Sequence, residues 1–95
     1  MAATLKALWS RFFGGRVGAA DEAAIEYNGY RIRPAPYRRN GQYQTCGVVA
    51  KEIGGEIKEH RFIRAEMHPT REAAILFSIA KAKQIIDEQG ERLFG

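Results

Sequence analysis

The sequence predicts an α+β domain: a three-stranded antiparallel sheet with one C-terminal helix packed on a face, in the order β-β-β-α, preceded by a short N-terminal amphipathic helix. Three observations point there. YRIRPAP alternates with period two, QYQTCGVVAKEI and EIKEHRFIRAE are strand-like runs meeting at Gly54 and Gly55, and TREAAILFSIAKAKQIIDEQ is a long helical run closed by Gly90. Three regions follow: the amphipathic helix over 1–13, a flexible linker over 14–24, and the β-β-β-α domain over 25–95.

In the opening LKALWSRFF, Leu5, Leu8, Trp9, Phe12 and Phe13 recur at helical spacings, with Lys6, Ser10 and Arg11 largely on the other side. A secretory signal would need about 7 to 15 unbroken apolar residues, and these polar residues interrupt the run. Three occupants of the apolar face remain: the chain's own body or a sister subunit, an anionic membrane surface met through Trp9 and the phenylalanines, or a partner on which the segment orders. A body of this size builds a core worth only about 3 to 5 kcal/mol, so five large side chains from the tail would help it. GGRVGAADEAA then supplies no hydrophobic period and reads as linker.

In the first strand Tyr30, Ile32 and Pro34 fall on one face and Arg31, Arg33 and Ala35 on the other, after a turn at Asn28 and Gly29. Pro34 and Pro36 cannot donate to a ladder, so the strand should lie at an edge or end there. PYRRNGQ reads as a loop carrying Arg38, Arg39 and a second Asn-Gly pair. The Gly-Gly hairpin has two candidate registers. A two-residue loop sets Gly47 opposite Phe62, Val49 opposite His60 and Lys51 opposite Lys58. A three-residue loop pairs Lys51 with Glu59, Glu52 with Lys58 and Ile53 with Ile57. Turn chemistry favours the first and charge pairing the second; the first is preferred, because like charges at a wet hairpin end splay into solvent.

Thr70 is the expected N-cap and Gly90 the expected C-cap of the helix, with Glu72 near its positive end. Ala74, Phe77, Ala82 and Ile85 suit the sheet, with Ser78 tolerated between them. Ile75, Leu76, Ile79 and Ile86 project to another side, and a helix apolar on two sides needs two partners.

Composition narrows the function. The chain has 95 residues, 45% hydrophobic, with no run long enough to span a bilayer, so a cytoplasmic address is expected. Lone Cys46 can form no internal disulfide and reads as a packed hydrophobe. Neither His60 nor His68 has ligands at metal spacing. No nucleophile elbow, phosphate loop or acid-base pair is present, and no enzyme activity, cofactor or small-molecule substrate is expected. Of the net charge of +4, the first 20 residues hold Lys6, Arg11 and Arg16 and no acid, while residues 21–95 carry 12 basic and 11 acidic side chains. Only a local cluster could therefore bind an anion. The best is Arg31, Arg33 and Arg61 on the face away from the helix with Gln42 and Gln44, beside Arg38 and Arg39; guanidinium and amide groups on an open sheet suit phosphate and base-edge contact. Against this stands a merely solvated face, diluted by Glu52 and Glu59.

The run KAKQIIDEQGERLF, with YNGYRIRPAP upstream, GQY opening the second strand and HRFIRAE closing the third, resembles the short bacterial family named for the HlyU transcriptional activator. The resemblance spans about residues 25 to 95, its last fifteen residues being most specific, and the opening piece ending in FFGG is similar to the family's usual start. It implies a transcriptional regulator, by name an activator of haemolysin expression, and assigns no binding or catalytic residue. A winged-helix regulator shares the name, but one long helix and three strands leave only sheet or tail for contact with DNA. Two readings follow: a regulator binding DNA through the arginine face, or a non-enzymatic module that self-associates as a homodimer through Ile75, Leu76, Ile79 and the tail aromatics, with the membrane surface as a further partner for the tail.

Overall fold

Three two-residue turns organise the sheet, each with both central residues at positive φ: Asn28-Gly29, Asn40-Gly41 and Gly54-Gly55. This is the type I′ geometry whose twist matches that of paired strands, which Asn and Gly accept readily. A computed structural model of the chain describes residues 24–95, in the order β1 (Ile25–Tyr27), β2 (Tyr30–Pro34), β3 (Tyr37–Arg39), β4 (Gln42–Ile53), β5 (Glu56–His68), α1 (Arg71–Gln89) and a 3-10 turn (Gly90–Phe94).

The sheet has five strands where three were expected. Ile25–Tyr27, placed at the start of the body without a pairing, folds back on β2 through the Asn28-Gly29 turn, with Ile25 opposite Ile32 and Tyr27 opposite Tyr30. The supposed loop PYRRNGQ contains β3, whose Tyr37, Arg38 and Arg39 oppose Gln44, Tyr43 and Gln42. β2 and β3 thus run in line along one edge of β4, and β5 takes the other. The prolines interrupt this line without ending it. Ala35 N–H donates to Cys46 C=O at 2.9 Å, so by alternation the nitrogens of Pro34 and Pro36 point away from β4, where no donor is required. The expected N-terminal helix over 1–13, and the linker up to residue 23, lie outside the described residues.

The long hairpin adopts the two-residue register: Gly47 opposes Phe62, Val49 opposes His60 and Lys51 opposes Lys58. Past Cys46 and Ile63 it shifts, pairing Gln44 with Met67. Three residues of β5, Arg64 to Glu66, then span what Thr45 alone spans in β4, an irregular bulge. Side chains hold it: Thr45 Oγ1 donates to Glu66 C=O at 3.0 Å, and the Gln44 amide donates to Arg64 C=O. From the other side Ser78 Oγ accepts the Cys46 N–H at 3.2 Å.

α1 starts where expected, Thr70 Oγ1 accepting the Ala73 N–H at 3.1 Å, and ends at Gly90 with φ 56° and its N–H on Ile86 C=O. It buries Ala74, Ser78, Ala82, Ile85 and Ile86, small residues letting it approach the sheet closely. The main core joins Tyr30, Ile32, Val49 and Phe62 to Ala82, Ile85, Ile86 and Leu93. Two helix assignments change. Ile86 belongs to this core and Ile79 packs against it, while Phe77 is half-buried on the His68 ring, centroids 4.8 Å apart. The 3-10 turn adds Leu93 to the core, stacks Phe94 on Tyr30, and is tied back by the Lys51–Glu91 ion pair at 2.8 Å.

Candidate nucleic-acid interface

Successive strand residues face opposite sides, so the register sorts every charged side chain. Tyr30, Ile32, Val49, Lys51, His60 and Phe62 share the side of α1. Arg31 and Arg33 on β2 stand opposite Ala50 and Val48 of β4, which in turn oppose Glu59 and Arg61 of β5. All six therefore lie on the far face. The same parity runs through the proline break to Tyr37 and Arg39, and along β4 to Gln42, Gln44 and Cys46.

Four of the five arginines expected to form a cationic patch are thus brought together: Arg31, Arg33, Arg39 and Arg61. Arg38 is not. It opposes Tyr43, and its guanidinium carbon sits 6.0 Å from that ring's centroid, on the helix side of the sheet. Arg39 and Arg61 are exposed; Arg31 and Arg33 are half-buried, and both have partners within the chain. Arg39 Nη1 donates to Gln44 Oε1 at 3.5 Å. Gln44, only 6% exposed and already donating to Arg64, serves the bulge, whereas Gln42 is exposed.

Charge is graded along this face. Arg31 stands beside Glu26 of β1, and Glu59 and Glu52 follow toward the Gly54-Gly55 turn. Toward the Asn40-Gly41 turn lie Arg33, Arg61 and Arg39 with Gln42 and Tyr37, and the described acids of β1, β4 and β5 on this face lie at the other end. Tyr37, 36% exposed, was missed by the sequence reading; its signal was the period-two spacing Arg33, Ala35, Tyr37, Arg39, hidden by treating the segment as a loop.

Among the described residues, two groups with perturbed acidity lie on the opposite side. Hydrogen bonding to both Asp87 carboxylate oxygens, at 2.9 and 3.0 Å, raises the Tyr27 hydroxyl above its ordinary value. The hydrogen bond to Glu91 raises Lys51 likewise.

A sequence model described as transcriptional activator HlyU matches residues 7–94. The chain belongs to the HlyU family. No curated protein and no solved structure matches it. HlyU is thus a transcriptional-regulator family whose member here carries a sheet with one face covered by α1 and an arginine-bearing face opposite.

Of the residues read as a self-association surface, three lie among the described residues of this HlyU-family chain. Ile79 is half-buried against the main core and Ile75 is half-buried, while Leu76 is 69% exposed between Glu72 and Ala80. Leu5, Leu8, Trp9, Phe12 and Phe13 lie outside the described residues. Among the described residues no group of three or more His, Cys, Asp or Glu could hold a metal ion, and no helix is long and apolar enough to cross a membrane.

Proposed function

We propose that this HlyU-family protein is a non-enzymatic transcriptional regulator that contacts DNA through the far face of its sheet. Arg33, Arg39 and Arg61 neutralise phosphates, and exposed Gln42 and Tyr37 lie near enough to meet base edges or sugars. Arg31, beside Glu26, contributes less. The observation supporting this reading is the co-facial placement of these arginines from three strands, with the acids collected at the opposite end. Sheets are an established way of entering DNA grooves, and a planar guanidinium can bridge two phosphate oxygens. The family's description as a transcriptional activator supplies the class of function.

Fluorescence anisotropy of a labelled generic duplex, titrated with the full chain at several salt concentrations, tests the proposal. Each phosphate contact contributes about 0.9 to the slope of log affinity against log salt. A double Arg39→Ala, Arg61→Ala variant should therefore bind more weakly, with a slope smaller by about 2. Binding by the variant that matches wild type at every salt concentration would remove the sheet face from consideration.

A further inference from the structure

The far face also carries an apolar floor. Cys46 and Ala50 are 0% exposed and Val48 8%, although all three point away from α1. Ile57 packs against Val48 and Ala50 in a cluster separate from the main core, and Ile63 is 52% exposed beside Cys46. Longer side chains, Arg31 and Arg33 on one side and Glu59 and Arg61 on the other, flank the small ones. The register thus sets a trough between two flanking rows, and its short-chained apolar floor is buried although no described helix or strand lies over it.

We infer that residues 5–13 of this same chain seat in the trough, laying Leu5, Leu8, Trp9, Phe12 and Phe13 on Val48, Ala50, Ile57 and Ile63. Dimensions agree. Nine helical residues would span about 13 Å, and Cys46 to Ala50, four residue steps along the strand, also span about 13 Å. The length suffices, because a flexible linker of eleven residues, the number from 14 to 24, would have a root-mean-square span of about 18 Å, while β1 to β5 is three strand spacings, about 14 Å. Such a tether holds the segment at a millimolar-scale effective concentration, which favours its own body over a second copy at micromolar protein. Lys6 and Arg11 would face solvent.

One consequence rests on the DNA reading: the seated segment covers part of the arginine face, so tail and DNA compete for it.

Trp9 is the single tryptophan and reports the seat directly. In the full chain without DNA, its emission should be blue-shifted and resist iodide, independently of protein concentration. Ile57→Glu should shift the emission to the red and raise the quenching constant severalfold. Ile63→Glu, at an exposed position, should do the same in part with an unchanged far-ultraviolet spectrum, and keeps the test valid if the first variant fails to fold. A water-exposed Trp9 in wild type overturns the inference, as does shielding lost on dilution, which would place the tail on a second copy. Shielding that requires anionic vesicles would place it on a membrane and also overturns it. Duplex DNA added afterwards should expose Trp9. Binding without that release moves DNA to another surface, and no binding ends the DNA reading, but in both cases the shielding measured beforehand still supports the seat.

Discussion

Gly47 lies directly under the Phe62 ring: a Cβ on Gly47 would stand 2.8 Å from Phe62 Cζ and 3.2 Å from the Arg33 carbonyl oxygen. The two residues are cross-strand partners, and the missing side chain lets a 5% exposed phenylalanine fold flat onto β4. Gly47→Ala should therefore destabilise by about 1–3 kcal/mol, as overpacking does. Urea denaturation measures it. Adding Phe62→Leu to Gly47→Ala should recover part of the loss; a fully additive double variant would show that the ring is not the obstacle.

Ser78 stands at 0% exposure and accepts the Cys46 N–H where the ladder changes register. Ser78→Ala leaves that donor buried without its acceptor, a loss of about 1–3 kcal/mol. Hydrogen exchange localises the effect: the Cys46 amide should exchange faster in the variant, relative to Val49, than in wild type. Unchanged stability would mean that Ser78 is held there for its size alone.

Much of the fold could be read from residues whose chemistry has few solutions. Gly54-Gly55 admits a tight positive-φ turn, and that turn sets the register even though it places Lys51 against Lys58. Thr70 and Gly90 bounded the helix for the same kind of reason. The misreadings have physical causes. The strand does end at Pro34, but its continuation in line as β3 was missed: Pro34 and Pro36 lack N–H groups, yet Ala35 between them supplies the one donor that β4 needs. Helical spacing groups residues without saying which group is turned inward, so Ile86 and Ile79 were assigned outward. The bulge that calls for Ser78 depends on pairing across twenty residues, and no local pattern carries it. On the candidate site, Arg31, Arg33 and Arg61 were placed together correctly from alternation, whereas Arg38 and Arg39 needed the strand that the loop reading concealed.

Tyr27 and Asp87 connect β1 to α1, with Lys83 Nζ 5.2 Å from the Tyr27 ring centroid. Because the hydrogen bond raises the Tyr27 pKa, its stabilising contribution is complete below the ordinary tyrosine value of about 10 and is lost as pH rises through the raised folded value. A tyrosinate absorbance titration should show one of the four tyrosines ionising at higher pH in wild type than in Asp87→Asn. Identical titrations would break the link.

Arg38 and Arg39 offer an internal control for the proposed interface. They are neighbours in sequence, equal in charge and both exposed, yet one stacks beside Tyr43 on the helix side and the other stands with Gln42 and Gln44 on the far face. Nonspecific attraction depends chiefly on total charge and treats them nearly alike. Contact through the far face does not. Arg39→Ala should weaken duplex binding and reduce the salt slope by about 1, while Arg38→Ala should leave both close to wild type. Equal losses in the two variants would indicate a diffuse cationic field, and a loss confined to Arg38 would move the interface to the side of α1.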